Sequence, residues 1–143
     1  MSAQTIGIGK IRGISANLAG SMKKAGLKNS GHLLDLAKTP KARAALAAAH
    51  GVSEKEILEL ANRADLARVN GVGEVFANLL EEAGVDTVKE LSKRKPENLH
   101  ATLAAKRTEK NLAGRAATLK EVTDWVEQAK ELPKTLTVLK GEG

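Results

Sequence analysis

One stretch of this chain recurs in altered form. RGISANLAGSMKKAGL (12–27) lies on NGVGEVFANLLEEAGV (70–85) at a constant offset of 58, position 12 to 70 and 27 to 85. Gly13 falls on Gly71, Leu18 on Phe76, Met22 on Leu80 and Ala25-Gly26 on Ala83-Gly84. Thr39-Pro40 answers to Lys95-Pro96 at an offset of 56. SEKEILELANRA (53–64) answers to TLKEVTDWVEQA (118–129) at an offset of 65. There Ile57, Leu60, Ala61 and Ala64 meet Val122, Trp125, Val126 and Ala129. Whatever one unit folds into, the other must fold into as well. The second unit carries an insertion at 104–117.

The unit reads as helical throughout. Phe76, Leu79, Leu80 and Ala83 follow the i, i+3, i+4, i+7 spacing of one buried helix face. Gly26, Gly51 and Gly84 stand as helix stops. Ser53 with Glu56, Thr87 with Glu90 and Thr118 with Glu121 have the spacing of capping boxes. Pro40 and Pro96 suit a first helical turn, where a missing N–H costs nothing. The spacing predicts a helix over 41–50 and its counterpart from Glu97, and Pro133 ends the last one. KTLTVLKGEG (134–143) reads as a tail with room for a short extended piece.

Composition agrees. Alanine and leucine dominate the apolar residues, and Phe76 and Trp125 are the aromatic ones. The chain has no cysteine, which excludes disulfides and thiolate metal sites. No apolar run approaches the ~20 residues of a membrane span, and the amino terminus lacks a signal-peptide core. A cytoplasmic protein without membrane contact is expected. The net charge of +6 is uneven. Residues 1–50 hold eight basic and one acidic residue, 51–92 four and nine, and 93–143 eleven and seven. A basic balance suits nucleic acid or another acidic surface.

Two glycine turns carry the functional question. Val69-Asn70-Gly71-Val72-Gly73 precedes a helix containing Ala77 and Leu80, and Ile11-Arg12-Gly13-Ile14-Ser15 precedes one containing Ala19 and Met22. Apolar-x-Gly-apolar-Gly-x-x-x-Ala-x-x-Leu is the helix-hairpin-helix signature. The second turn resembles it at every position, and the first departs from it in having Ser15 as the second glycine. Gly7-Ile8-Gly9 is not a competing turn, because no alanine or leucine follows at the right distance. Residues 10–132 also resemble an uncharacterised bacterial family built from two such units. The resemblance implies an all-α fold of two tandem helix-hairpin-helix bundles, SAM-like helical units packed into one compact body. Their boundaries are 1–66 and 67–133, with 134–143 as tail. It also implies sequence-independent contact with the nucleic-acid backbone, sometimes through a monovalent cation held at a hairpin.

The residues themselves supply a mechanism. A first glycine admits a backbone conformation closed to other residues. The apolar residue packs the turn inward, and the second glycine leaves the free N–H groups of the next helix unobstructed. Helix starts with free N–H groups and a positive dipole end are natural phosphate sites. The two turns differ in charge. Glu74 opens the helix after Gly71-Val72-Gly73, and Glu81 and Glu82 follow, so that turn reads as structural. Around Gly13, Ile14 and Ser15 stand Lys10, Arg12, Lys23, Lys24 and Lys28. If either turn meets DNA, the first is favoured, and Ser15 is able to cap a helix or bind phosphate.

The insertion AAKRTEKNLAGRAA, with Lys106, Arg107, Lys110 and Arg115, is a second basic candidate. For both clusters an ordinary solvated surface is the competing reading. His32, His50 and His100 lie far apart without a ligand set, and His50 suits a helix C-terminus. No serine has a nucleophile setting, and Gly7-Ile8-Gly9-Lys10 lacks P-loop spacing. An enzyme is not expected. The leading expectation is backbone binding to duplex DNA. The alternative is a protein-interaction or scaffolding module, in which the turns only reverse the chain and a protein partner docks on the charged faces.

Overall fold

A computed structural model describes residues 4–112 and 114–136, and these form eight α-helices with no strand among the described residues. The chain divides into two compact units, one built on Thr5–Asp65 and one on Leu66–Lys134.

The first unit contains a 3₁₀ turn at Ile8–Lys10, then α1 (Ala16–Lys24), α2 (Ser30–Asp35), α3 (Pro40–His50) and α4 (Glu54–Leu66), whose last residue falls to the second unit. Each start follows from a local residue. Asn29 and Thr39 accept the N–H of the third residue of α2 and α3, His32 and Ala42, and Ser53 accepts from Glu56 N–H at 3.1 Å. Pro40 opens α3 and Gly51 closes it in the left-handed region. α1 packs on the 3₁₀ turn and on α3. Ile8, Met22, Leu33 and Ile57 are wholly buried between these elements. Arg43, also buried, donates to Ala37 O at 2.8 Å, and its burial lowers the guanidinium pKa. His50 ends α3 as expected, and its Nδ1 lies 2.7 Å from Ser21 Oγ.

The second unit repeats the order as α5 (Glu74–Glu82), α6 (Val88–Ser92), α7 (Pro96–Glu109) and α8 (Leu119–Glu131). Thr87 caps α6, and Thr118 with Glu121 forms the full reciprocal box at α8. α8 packs against α6 and α7, with Val122, Trp125, Val126 and Ala129 fully buried. The same face of α4, at Ile57, Leu60, Ala61 and Ala64, is buried too. The 58-residue relation also extends further back than the repeat predicts, since Ile8 and Leu66 are both at 0% exposure.

Two expectations are modified. The insertion at 104–117 is helical as far as Glu109, so α7 has 14 residues against 11 in α3. Asn111 at φ 51 ends it, as an asparagine tolerates that region. The carboxyl segment is more than a tail, because Leu136 is buried in the core of the first unit. Of the stretch 134–143, in which a short extended piece was expected, residues 137–143 lie outside the described residues, as do residues 1–3 of the first predicted domain.

Candidate nucleic-acid interface

The first turn is exposed at its tip and anchored beneath. Ile11 is buried and Ile14 packs partly on the core, whereas Gly13, Ser15, Ala16 and Asn17 face solvent. Gly13 has φ +88, and a Cβ there would lie 2.5 Å from Arg63 Nη1. That guanidinium donates to Arg12 O at 2.7 Å, so α4 holds the turn by its carbonyl. Glycine is required by the backbone conformation, and a Cβ there would also push the Arg63 guanidinium from its place.

Ser15 is in ordinary extended backbone, φ −76 and ψ 155, and so is Gly73 of the second turn, φ −91 and ψ −169. The second position therefore makes no conformational demand, and serine costs the first turn nothing there. Ser15 Oγ accepts Leu18 N–H at 3.1 Å, which places its hydroxyl in the capping role. No acid occupies the first turn of α1. The N–H groups of Ala16 and Asn17 precede the hydrogen-bonded ladder of that helix. Beside this helix start lies a shallow cleft of about 380 Å³, lined by Gly9, Ile14, Ser15, Ala16, Ala19, Gly20 and Lys23. Lys23 Nζ comes within 3.6 Å of where a Gly9 Cβ would sit. Lys10 and Lys24 are exposed, and Arg12 is half-buried.

In the second turn Val69 and Val72 are buried beneath exposed Gly71 and Gly73. Gly71 has φ +93, and a Cβ on it would stand 3.1 Å from Trp125 Nε1. A Cβ on Gly73 would meet nothing within 4 Å. The Gln128 amide grips Asn70, accepting its N–H at 2.8 Å and donating to its carbonyl at 2.9 Å, while also donating to Asp124 at 2.8 Å. No side chain caps α5, and Glu74 occupies its exposed first position. An anion there complements the dipole that would otherwise attract phosphate.

Lys106 and Arg107 sit in the last turn of α7, in the second unit. Lys106 pairs with Glu109 at 3.7 Å. Arg107 donates twice to Gly114 O, at 2.9 and 2.6 Å. Gly114 in turn rests on Val75 of α5, so Arg107 pins the loop to the helix that follows the second turn. Arg115 lies 5.1 Å above the Phe76 ring and makes a two-point contact with Glu121, each bond 2.7 Å. That guanidinium and the Thr118 N–H hold the Glu121 carboxyl down at about 2, well below the usual range. The loop closes over α5 and engages its own arginines locally.

The structure thus gathers Ile14, Ser15 and Lys23 around one cleft, beside the Arg12-Gly13 turn. Gly71, Val72 and Gly73 are held against α8. Arg63 and Gln128, the two clamps, were not singled out in the sequence reading. The offset of 65 places one on the other, and both are polar residues at the border of the apolar helix face. Among the described residues no group of three or more His, Asp or Glu side chains is placed to hold a metal ion, and no helix is long and apolar enough to cross a membrane.

No curated protein and no solved structure matches the chain. A family model does, over residues 12–132, which include both turns and both clamps. The chain belongs to that family, a domain of unknown function (DUF4332).

Proposed function

We propose that this protein is a non-enzymatic binder of the nucleic-acid backbone, acting on duplex DNA without reading sequence. The two glycine turns are read as tandem helix-hairpin-helix elements of unequal role. The observation that carries the proposal is the exposed first turn: Gly13 and Ser15 open to solvent, an α1 start free of acids, and Lys23 on the adjoining cleft. Phosphate oxygens would meet the N–H groups of Ala16 and Asn17, with Lys10, Lys23 and Lys24 neutralising the neighbouring charge. The second turn, opened by Glu74 and gripped by Gln128, serves the fold. Lys106 and Arg107, held by local partners, contribute less than the first unit.

A protein-docking role is the competing reading, and exposed Val75 and Leu119 speak for it. Isolated apolar side chains are ordinary on a folded surface, so the phosphate reading is preferred.

Fluorescence anisotropy with a labelled duplex, over a salt series, tests the proposal. Each phosphate contact contributes about 0.9 to the slope of log affinity against log salt. Binding should weaken steeply with salt, and Lys10→Gln/Lys23→Gln/Lys24→Gln should lower that slope by roughly 2–3. Lys106→Gln/Arg107→Gln should change it little. No binding by the native chain at low salt would refute the proposal.

A further inference from the structure

Gln4 lies across the second turn. Its Nε2 donates to Val69 O at 2.9 Å and to Val72 O at 3.2 Å, and its backbone N–H donates to Arg68 O at 3.2 Å. Only the NH₂ end of an amide can serve two carbonyl oxygens, so the contacts fix which way the side chain faces. Two oxygens within reach of one nitrogen necessarily converge, and converging carbonyls form a locus of negative potential. Such a locus takes a hydrogen-bond donor or a hard cation, whose usual ligands are oxygens of this kind.

The other turn provides an internal comparison. Ile11 and Ile14 occupy the positions of Val69 and Val72, and the local backbone is the same. Ile14 N–H donates to Ile11 O at 3.2 Å, as Val72 N–H does to Val69 O at 3.2 Å. Among the described residues, however, no side chain donates to Ile11 O or Ile14 O. The turns therefore share their backbone and differ in whether a donor is built in. Gln4 also lies outside residues 12–132, the span that matches the family model.

We propose that the Gln4 amide is a built-in plug: it fills the carbonyl pair of Val69 and Val72 in place of a monovalent cation, and so makes the second turn a closed, fixed joint. With Gln4 on Val69 and Val72 and Gln128 on Asn70, side chains from remote parts of the chain hold three of the turn's residues. The second turn then has no use for an external donor, whatever the first turn binds. This inference does not depend on nucleic-acid binding.

Thermal unfolding of the full chain tests it, in potassium chloride and in tetramethylammonium chloride at equal ionic strength. The larger cation is too bulky to lie between two carbonyls. The native protein in each salt is the reference, because the first turn is unchanged in every variant and contributes equally to all of them. Gln4→Ala should melt roughly 3–6 °C lower in tetramethylammonium chloride, the loss of two hydrogen bonds. It should recover part of that loss as potassium rises, since a ligand bound only to the folded state stabilises by mass action. Gln4→Lys, which supplies an ammonium donor, should stay near the native Tm in both salts. An unchanged Tm for Gln4→Ala would overturn the proposal, because water would then replace the amide at no cost. An equal fall in both salts would overturn it as well, because the vacated carbonyls would then take no cation.

Discussion

The two glycines of the second turn look equivalent in sequence, and the structure separates them. Gly71→Ala and Gly73→Ala should therefore behave oppositely. At φ +93 an alanine is in a region that costs an L-residue roughly 1–2 kcal/mol. Its Cβ would also press on Trp125 Nε1 at 3.1 Å, and that indole has little freedom to retreat. It is 1% exposed and packed against Phe76, with ring centroids 5.0 Å apart and the ring planes tilted by 53°. Overpacking of this kind costs roughly 1–3 kcal/mol. The stiffer unfolded chain returns about 0.4–1 kcal/mol, leaving a net loss near 2–3 kcal/mol. Gly73 is at φ −91 with open space around it, so only the unfolded-state effect acts there. Gly73→Ala should be neutral, or stabilising by up to about 1 kcal/mol.

Trp125 is the chain's single tryptophan and lies against this turn, so its fluorescence in urea unfolding reports both variants. A Gly73→Ala loss as large as that of Gly71→Ala would overturn this distinction between the two glycines. It would mean that the second glycine is needed for its backbone conformation rather than for the open approach it leaves. Ser15, which occupies the corresponding position of the first turn in extended backbone, already argues against a conformational need for glycine there.

Two further outcomes are expected. Gln128→Leu leaves the Asn70 N–H and carbonyl without the side chain that serves both, and should cost about 1–3 kcal/mol in urea unfolding; a loss below roughly 0.5 kcal/mol, the scatter of ordinary surface changes, would show that water takes over the clamp. Glu121, held at about 2 in the folded protein, stabilises the fold fully above its ordinary pKa, and that contribution is lost as pH falls through the folded value. A carboxyl NMR titration should find its midpoint near 2 in the native chain, moving up towards the usual carboxylate range in Arg115→Gln; an unmoved midpoint would remove Arg115 as the main cause.

Much of the local design was legible in the sequence, because it depends on neighbours along the chain. A cap is set by residues three apart, as at Ser53, Thr87 and Thr118. A buried face is set by helical spacing, and the paired faces of α4 and α8 were visible as aligned apolar positions. Val72 beneath its two glycines was readable in the same way. The basic surroundings of the first turn were readable as composition, and the structure adds the cleft that brings Lys23 to Ser15.

The repeat, its helices and the need for glycine at positions 13 and 71 follow from the order of residues along the chain. How the turns are held, and what remains exposed on them, follows from packing. Arg63 reaches Arg12 across 51 positions, Gln128 reaches Asn70 across 58, and Gln4 reaches Val69 and Val72 across 65 and 68. The insertion read as a basic loop, yet folding turns Arg107 onto Gly114 and Arg115 onto Glu121. Leu136, in a stretch that read as tail, joins the first core. Helical periodicity and capping are local constraints that each residue carries with it, whereas the partner of a long polar side chain is chosen only once packing has brought distant segments together.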